Sequence, residues 1–182
     1  MTIHTGRLLL RPVEEEDYKY LLALHNIPGV KEMILPQQRD PAYIKHVVHA
    51  SVLHHQGLSG LYFAFIMERA GDAIGTCVLS TENKRRHTGI LGWEVHPDHH
   101  NNGYATEASH ALLDLGFGPC QMQIIRADCF THNAASRRVM QKLGMQQKKD
   151  LLTRLKLYWN YGDSNNKVRH QISKTAWIQQ NL

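Results

Sequence analysis

Apolar residues in this chain fall into short runs of two different periods, separated by polar or turn-forming stretches. Arg7 to Pro12 (RLLLRP) is an apolar run ending in proline and predicts a first strand. Glu14 to Leu24 follows as a helix, with Glu14, Glu15, Glu16 and Asp17 in its opening turns, where carboxylates complement the helix dipole. Asp40 and Pro41 make an N-cap and first-turn pair, and Ile44, Val47, Val48 and Ser51 then recur at helical spacing until Gly57. LYFAFIME from Leu61 and AIGTCVLS from Ala73 are β-rich runs around a turn containing Gly71 and Asp72, which predicts a hairpin. Thr88 to Val95 (TGILGWEV) reads as a strand and Tyr104 to Phe117 as a helix. Gln123 to Phe130 is a further strand, and Asn133 to Leu143 a helix closed by Gly144. Leu155, Leu157 and Trp159 alternate, as do Val168, His170 and Ile172 after the turn-rich YGDSNN, so the chain is expected to close on a second hairpin. The order β α α β β β α β α β β, with no repeat or linker, predicts one α+β domain over residues 1–182.

Composition narrows the class. A chain of 182 residues with 42% hydrophobic content can build one sizeable core. It has no apolar run of membrane-spanning length, and the start MTIHTGRLLLRP lacks the order of a signal peptide, so a cytoplasmic protein with no membrane partner is expected. Cys77, Cys120 and Cys129 are odd in number and form no CxxC pair, which reads as reduced structural thiols. The net charge of +5 suits an anionic ligand but is also ordinary. No helix-turn-helix, RNP or aromatic-basic cluster accompanies it, so no nucleic acid partner is expected. Thirteen histidines include the pairs His54/His55 and His99/His100; without an HExxH motif they read as surface residues, and no metal is expected.

One stretch buries almost nothing and still interrupts the pattern: HPDHHNNGYATEA, from His96 to Ala108. It joins the strand ending at Val95 to the helix beginning near Tyr104. The first turn of a helix leaves backbone N–H groups unpaired and carries partial positive charge, so main chain alone can hold an anion there. Gly103 permits a conformation closed to other residues and lets a phosphate approach without a Cβ in the way. A plain surface loop capped by Asn102 fits the same residues, and this stretch alone does not choose between the two.

Three blocks in order, GRLLLRPVEEEDYKYL, GWEVHPDHHNNGYATEA and NAASRRVMQKLGM, make the chain similar to the GCN5-related N-acetyltransferase (GNAT) superfamily over nearly its full length. It most closely resembles the branch containing the ribosomal-protein alanine N-acetyltransferases. The superfamily's loop pattern, Arg/Gln-x-x-Gly-x-Gly/Ala, falls on His100 to Ala105. The resemblance implies a GNAT fold, a mixed and mostly antiparallel sheet splayed at the cofactor site and flanked by helices. It implies acetyl-CoA as co-substrate between the strands ending at Val95 and Phe130. The pantetheine would pair with Trp93 to Val95, and the pyrophosphate would sit on the amides of His100, Asn101, Asn102, Gly103, Tyr104, Ala105 and Thr106. Asn133 resembles an asparagine that contacts the cofactor arm, and it also fits a helix N-cap.

The departures from the pattern matter for chemistry. His100 replaces a fixed charge or amide with a group that titrates near neutrality, so cofactor affinity is expected to fall with rising pH. Met140 stands where many members carry a tyrosine acid, and Ser136 occupies the position of the substitute proposed in the ribosomal-protein branch; Ser136 also fits as a neutral first-turn residue. The reaction implied is direct transfer of acetyl to a primary amine, with a backbone N–H of a bulged strand stabilising the oxyanion. Glu94, on the strand beside the thioester, is the candidate base, unless the alternation turns it away as a cross-strand salt-bridge partner. No cysteine lies in a nucleophile setting, so a ping-pong route is not expected. The acceptor is a protein N-terminus or a small-molecule amine, and a second copy of the chain is a candidate partner in a homodimer. A catalytically inactive acetyl-CoA-binding sensor or scaffold is the alternative.

Overall fold

The computed structural model describes residues 1–55, 62–82, 85–154, 157 and 166–182. Within these residues the strand-forming runs build one eight-stranded sheet. The strands are β1 (Ile3–His4), β2 (Leu9–Pro12), β3 (Tyr62–Arg69), β4 (Asp72–Glu82), β5 (Arg85–Val95), β6 (Ile124–Phe130), β7 (Gln146–Lys148) and β8 (Lys167–Ser173), in the spatial order β1-β2-β3-β4-β5-β6-β8-β7. Every pairing is antiparallel except that of β5 with β6. The β3 to β4 turn is tight because Ala70 (φ 52°) and Gly71 (φ 91°) both take the left-handed conformation that a two-residue hairpin loop requires.

Helices cover both faces, which is why Tyr62 to Met67 is apolar throughout rather than alternating. Phe65 and Met67 of β3, Cys77 and Leu79 of β4 and Leu91 and Val95 of β5 point to one face and pack with α3 (Tyr104–Phe117) and α4 (Ala134–Lys142). Ala64 and Ile66 point to the other face and pack with Val13, Leu21 of α1 (Tyr18–Asn26) and Ile44 and Val48 of α2 (Pro41–His55). Arg11 ties the two layers together, its guanidinium meeting Asp17 at 2.7 Å and Glu68 at 2.6 Å.

The parallel contact between β5 and β6 is short. It spans Thr88 with Ile124, Gly89 with Ile125 and Ile90 with Arg126, and past that point the two strands part. β6 stays paired with β8 as far as Phe130, while β5 runs on to Val95 with one edge open. The sheet is therefore splayed between Val95 and Phe130. Asp128 and Arg169, ion-paired at 2.7 Å and both buried, fasten β6 to β8 on the far side of the gap.

The C-terminal part departs from the expected hairpin. Residues 151–154 and 157 are helical, so Leu157 is not on a strand; Leu155 and Trp159 lie outside the described residues. β8 lies between β6 and β7, antiparallel to both. After β8 the chain forms α5 (Lys174–Gln180), capped by the Ser173 hydroxyl, which accepts from Ala176 N at 3.2 Å. Trp177 docks α5 by donating from Nε1 to Asp114 of α3 at 3.0 Å. No helix of the described residues is long and apolar enough to cross a membrane.

Candidate active site

Two recesses meet at β5, one along its open edge and one under a side chain. Backbone groups of a strand alternate between its two neighbours. His96 N donates to Ile74 O on the β4 side at 2.8 Å, and His87 O accepts from Gln123 N on the β6 side at 2.8 Å. Leu91, Trp93 and Val95 accordingly aim their N–H and C=O groups into the splay. The β4 register is unbroken from Gly89 to Val95, so these groups follow the pleat; the bulge expected on this strand is not present there. The Trp93 side chain packs half-buried against the core. The Val95 carbonyl is already met by His100 Nε2 at 2.8 Å, and since a carbonyl only accepts, Nε2 is the donor. His100 thus folds back on the ladder strand rather than reaching outward.

Beyond Val95 the loop is held in an unusual backbone state. Asn101 (φ 61°) and Gly103 (φ 82°) are both left-handed. The Asn102 side chain turns inward, its Nδ2 donating to His99 O at 3.2 Å and His100 O at 3.0 Å. The first helical bond runs from Glu107 N to Gly103 O at 3.0 Å. The N–H groups of Asn101, Asn102, Gly103, Tyr104, Ala105 and Thr106 have no partner among the described residues. Six consecutive donors at a helix N-terminus form a ready anion cradle. His100 N is not a seventh, because it donates to Pro97 O at 3.0 Å.

A clamp from the other end of the chain braces the cradle. Arg7 donates from its backbone N to Glu107 Oε1 at 2.7 Å and from Nε to Oε2 at 2.7 Å, and its Nη1 reaches Asn102 O at 2.9 Å. The Thr5 hydroxyl adds a bond to Glu107 Oε1 at 2.6 Å, and the Arg7 guanidinium lies 4.7 Å from the centre of the Tyr104 ring. Arg7, expected to open the first strand, instead lies in the bend between β1 and β2 and serves the loop; the expected strand begins at Leu9.

On the opposite face of β5, Glu94 points into a cavity of about 60 Å³ between the sheet and the first two helices. His25 of α1, Gln38, Tyr43 of α2 and Tyr62 of β3 share this cavity, and Val13, Ile44, Ala64 and Val78 give it apolar walls. Glu94 makes no hydrogen bond or ion pair among the described residues, so the salt-bridge alternative finds no partner there. Burial pushes its carboxyl above the usual range, and the nearby His25 works in the opposite direction. Burial, together with the Glu94 charge, also raises the phenols of Tyr62 and Tyr43, which stay protonated. His25 Nδ1 lies 2.7 Å from the Gln38 carbonyl and must donate to it, which leaves Nε2 as the basic nitrogen. His25, Tyr43 and Tyr62 carry no motif and were not singled out from the sequence.

Across the splay, Asn133 caps α4: its Oδ1 accepts from Ser136 N at 2.9 Å, and the residue is buried. Its Nδ2 remains available as a donor. Ser136 is partly buried in the first turn of α4, and its hydroxyl has no partner among the described residues. Met140, one turn further on the same face, is wholly buried in the core, so a tyrosine there would require the core to repack. Burial raises the thiols of Cys77, Cys120 and Cys129, the last to about 11, and a protonated thiol is a poor nucleophile. Among the described residues no three His, Cys, Asp or Glu side chains gather as a metal site would require.

Comparison with known proteins places this geometry in context. Residues 7–146 match the family described as Acetyltransferase (GNAT) domain. The uncharacterized N-acetyltransferase YnaD of Bacillus subtilis is 31% identical over 147 residues, covering 81% of this chain and 84% of that protein. An acetyltransferase of the GNAT family from Bacillus anthracis superposes with a TM-score of 0.72 at 24% identity, over 96% of this chain and 99% of that one. The ribosomal L7/L12 α-N-protein acetyltransferase RimL, solved with coenzyme A, superposes with a TM-score of 0.76 at 16% identity, over 95% of this chain and 98% of that one.

Proposed function

The chain belongs to the acetyltransferase (GNAT) domain family and is an acyltransferase, and from that premise we propose that it carries acetyl from acetyl-CoA to a primary amine, protein-borne or small, seated beside Glu94. The observation that carries this reading is the double duty of β5. One strand offers Trp93 and Val95 backbone groups to the splay and the Glu94 carboxylate to the cavity on its other face. The cofactor fits the residues present: six unpartnered N–H groups suit a pyrophosphate, and the open edge suits an extended amide chain. Acetyl-CoA supplies an acyl thioester, whose carbonyl is open to a neutral amine.

Each residue then has a task. Asn101 to Thr106 hold the pyrophosphate through their amides, with Arg7 and Glu107 keeping the loop in shape. The Trp93 and Val95 backbone aligns the pantetheine, and the His100 bond to the Val95 carbonyl steadies that end of the ladder. Asn133 caps α4 and offers Nδ2 to the cofactor arm. Glu94 accepts a proton from the incoming ammonium, a role that suits a carboxylate whose affinity for protons is raised by burial. His25 favours the ionised state of Glu94 before the amine arrives. The nitrogen sheds a second proton as the amide forms, and the Ser136 hydroxyl relays it to the departing thiolate, giving up one proton and regaining one. The test combines calorimetric titration of acetyl-CoA with amine-dependent release of free thiol across peptides and small amines. Binding without thiol release for any amine would favour the sensor or scaffold reading and overturn catalysis.

A further inference from the structure

A proton that Glu94 takes from an acceptor has to leave before the next turnover, and the cavity holds a group suited to carry it out. His25 stands in the last turn of α1 and lines the same cavity as Glu94. Its Nδ1 donates to the Gln38 carbonyl at 2.7 Å, on the 3-10 turn Pro36–Arg39, so the ring is held in one tautomer and Nε2 is left to exchange a proton. The ring is partly exposed and so meets solvent. No hydrogen bond joins His25 to Glu94 among the described residues, and a cavity of about 60 Å³ has room for water between them.

We infer that His25 is the exit station for the proton that Glu94 takes from the amine, passing it through Nε2 to solvent after each transfer. The protonated Glu94 carboxyl gives its proton to Nε2, directly or through one water. The carboxylate is regenerated, and the imidazolium then loses one proton to bulk water. The Nδ1 proton stays on the Gln38 carbonyl throughout, so the original tautomer returns without a ring flip. The end of α1 carries partial negative charge and Glu94 is again an anion, so the transient cation is supported on two sides. Burial makes the Glu94 carboxyl hold its proton, while imidazole exchanges one near neutrality, which favours the relay over direct loss to water. The neighbouring polar groups have other work. The Tyr43 and Tyr62 phenols are raised by burial and stay protonated. The Thr76 hydroxyl, opposite Glu94 on β4, donates to Phe65 O at 2.9 Å, and Gln38 Oε1 accepts from Leu35 N at 2.8 Å. Arg39, next to Gln38 in the chain, is a fixed cation that adds charge without exchanging a proton, and Cys77 feels the Glu94 charge from the other face of the sheet.

The inference rests on the acetyltransferase reading, and the test tells the two apart. In His25→Asn the carboxamide nitrogen stands near the position of Nδ1 and keeps a donor for the Gln38 carbonyl, but the proton-exchanging Nε2 is gone. Thiol release from acetyl-CoA is followed with one confirmed amine over a series of buffer concentrations at neutral pH, and a thermal melt and an acetyl-CoA titration check that the variant folds and binds. Because proton exit follows acetyl transfer, kcat of the variant should fall by roughly ten- to a hundredfold in dilute buffer while kcat/KM changes little, and added imidazole should restore it. Wild-type kcat should be independent of buffer concentration. A variant with wild-type kcat, or one that loses kcat and kcat/KM together and does not respond to imidazole, overturns the inference and leaves the acetyltransferase reading standing. If the variant does not fold, the wild-type series decides: a kcat that rises with buffer concentration overturns the relay, and a flat one supports it. Wild-type protein that binds acetyl-CoA and releases no thiol with any amine overturns both.

Discussion

Replacing Glu94 by glutamine should make the protein slower and more stable at once. The swap keeps the shape of the side chain and removes a carboxylate that sits in an apolar-walled cavity without a hydrogen bond or ion pair among the described residues. Its pKa in the folded chain is raised, so the folded state binds more protons than the unfolded state in the window between the two values. Stability therefore falls as pH climbs through that window, and the unfavourable contribution is fully present above the folded pKa. Removing the charge should return about 0.5–2 kcal/mol at neutral pH, the usual gain when a strained active-site group is neutralised. For a chain of this length that amounts to a rise in melting temperature of roughly 1–8 °C, shrinking toward zero in acid, where wild-type Glu94 is itself protonated. Turnover at neutral pH should fall by about a hundred- to ten-thousandfold, the worth of a general base, and recover as rising pH deprotonates the amine without help. Thermal melts and a pH-rate profile with one confirmed amine read both effects. A variant that melts lower than wild type, or that keeps the wild-type profile, would refute the assignment, because a residue held by structural contacts loses stability when neutralised.

Four other outcomes follow from the same geometry. Gly103→Val forces a β-branched residue into φ 82° at the cradle and should weaken acetyl-CoA binding by roughly ten- to a hundredfold in calorimetry; unchanged affinity would remove the loop from the site. Asn133→Ala loses the α4 cap, about 1 kcal/mol or roughly 2–4 °C of melting temperature, and a further loss of acetyl-CoA affinity separates a cofactor contact from a cap alone. Ser136→Ala should lower turnover by roughly ten- to a thousandfold with affinity for acetyl-CoA intact, and wild-type turnover would return the proton to solvent. Gly75→Ala sets a Cβ against the Glu94 carbonyl, 2.9 Å from Met67 Cε and 3.0 Å from Val95 Cα, so β5 itself must move; about 1–3 kcal/mol of stability should be lost together with turnover, whereas loss of stability alone would show that the placement of Glu94 does not depend on this pairing.

The parts of the site legible in the sequence are those that local chemistry dictates. Gly103 before Tyr104, Asn133 before Ala134 and the Asp40 and Pro41 pair each act within one helical turn, and the helices begin where those residues place them. The hairpin expected around Gly71 and Asp72 joins β3 to β4, with the turn one residue earlier, at Ala70 and Gly71, and Asp72 opening β4. Alternation also settles the direction of Glu94: once Leu91 and Val95 belong to the core on the α3 face, Glu94 must face α1 and α2. The C-terminal hairpin failed for a related reason. The alternating apolar positions near Leu155 to Trp159 suit a strand, but periodicity alone does not choose a partner. The observed neighbour of β8 is a three-residue edge strand, Gln146–Lys148, too short and too polar to leave a periodic signal. Ser173 followed by helix-forming residues was the available cue for α5.

The acceptor cavity was out of reach for a different reason. His25, Gln38, Tyr43, Tyr62 and Glu94 come from separate elements, and apart from Gln38 and Tyr43 they are more than ten residues from one another, too far to form a pattern. What unites them is the gap that the α1 and α2 layer leaves over β5, and such a gap is a property of packing between layers rather than of any segment. The open edge of β5 has the same origin. Thr88 to Ile90 pair with β6, and Leu91 to Val95 do not, although both halves of the strand read alike, because β6 is drawn away by its seven-residue ladder with β8 and the buried pairing of Asp128 with Arg169. The strand to which the chemistry is assigned in this proposal is thus exposed by contacts its own sequence does not contain.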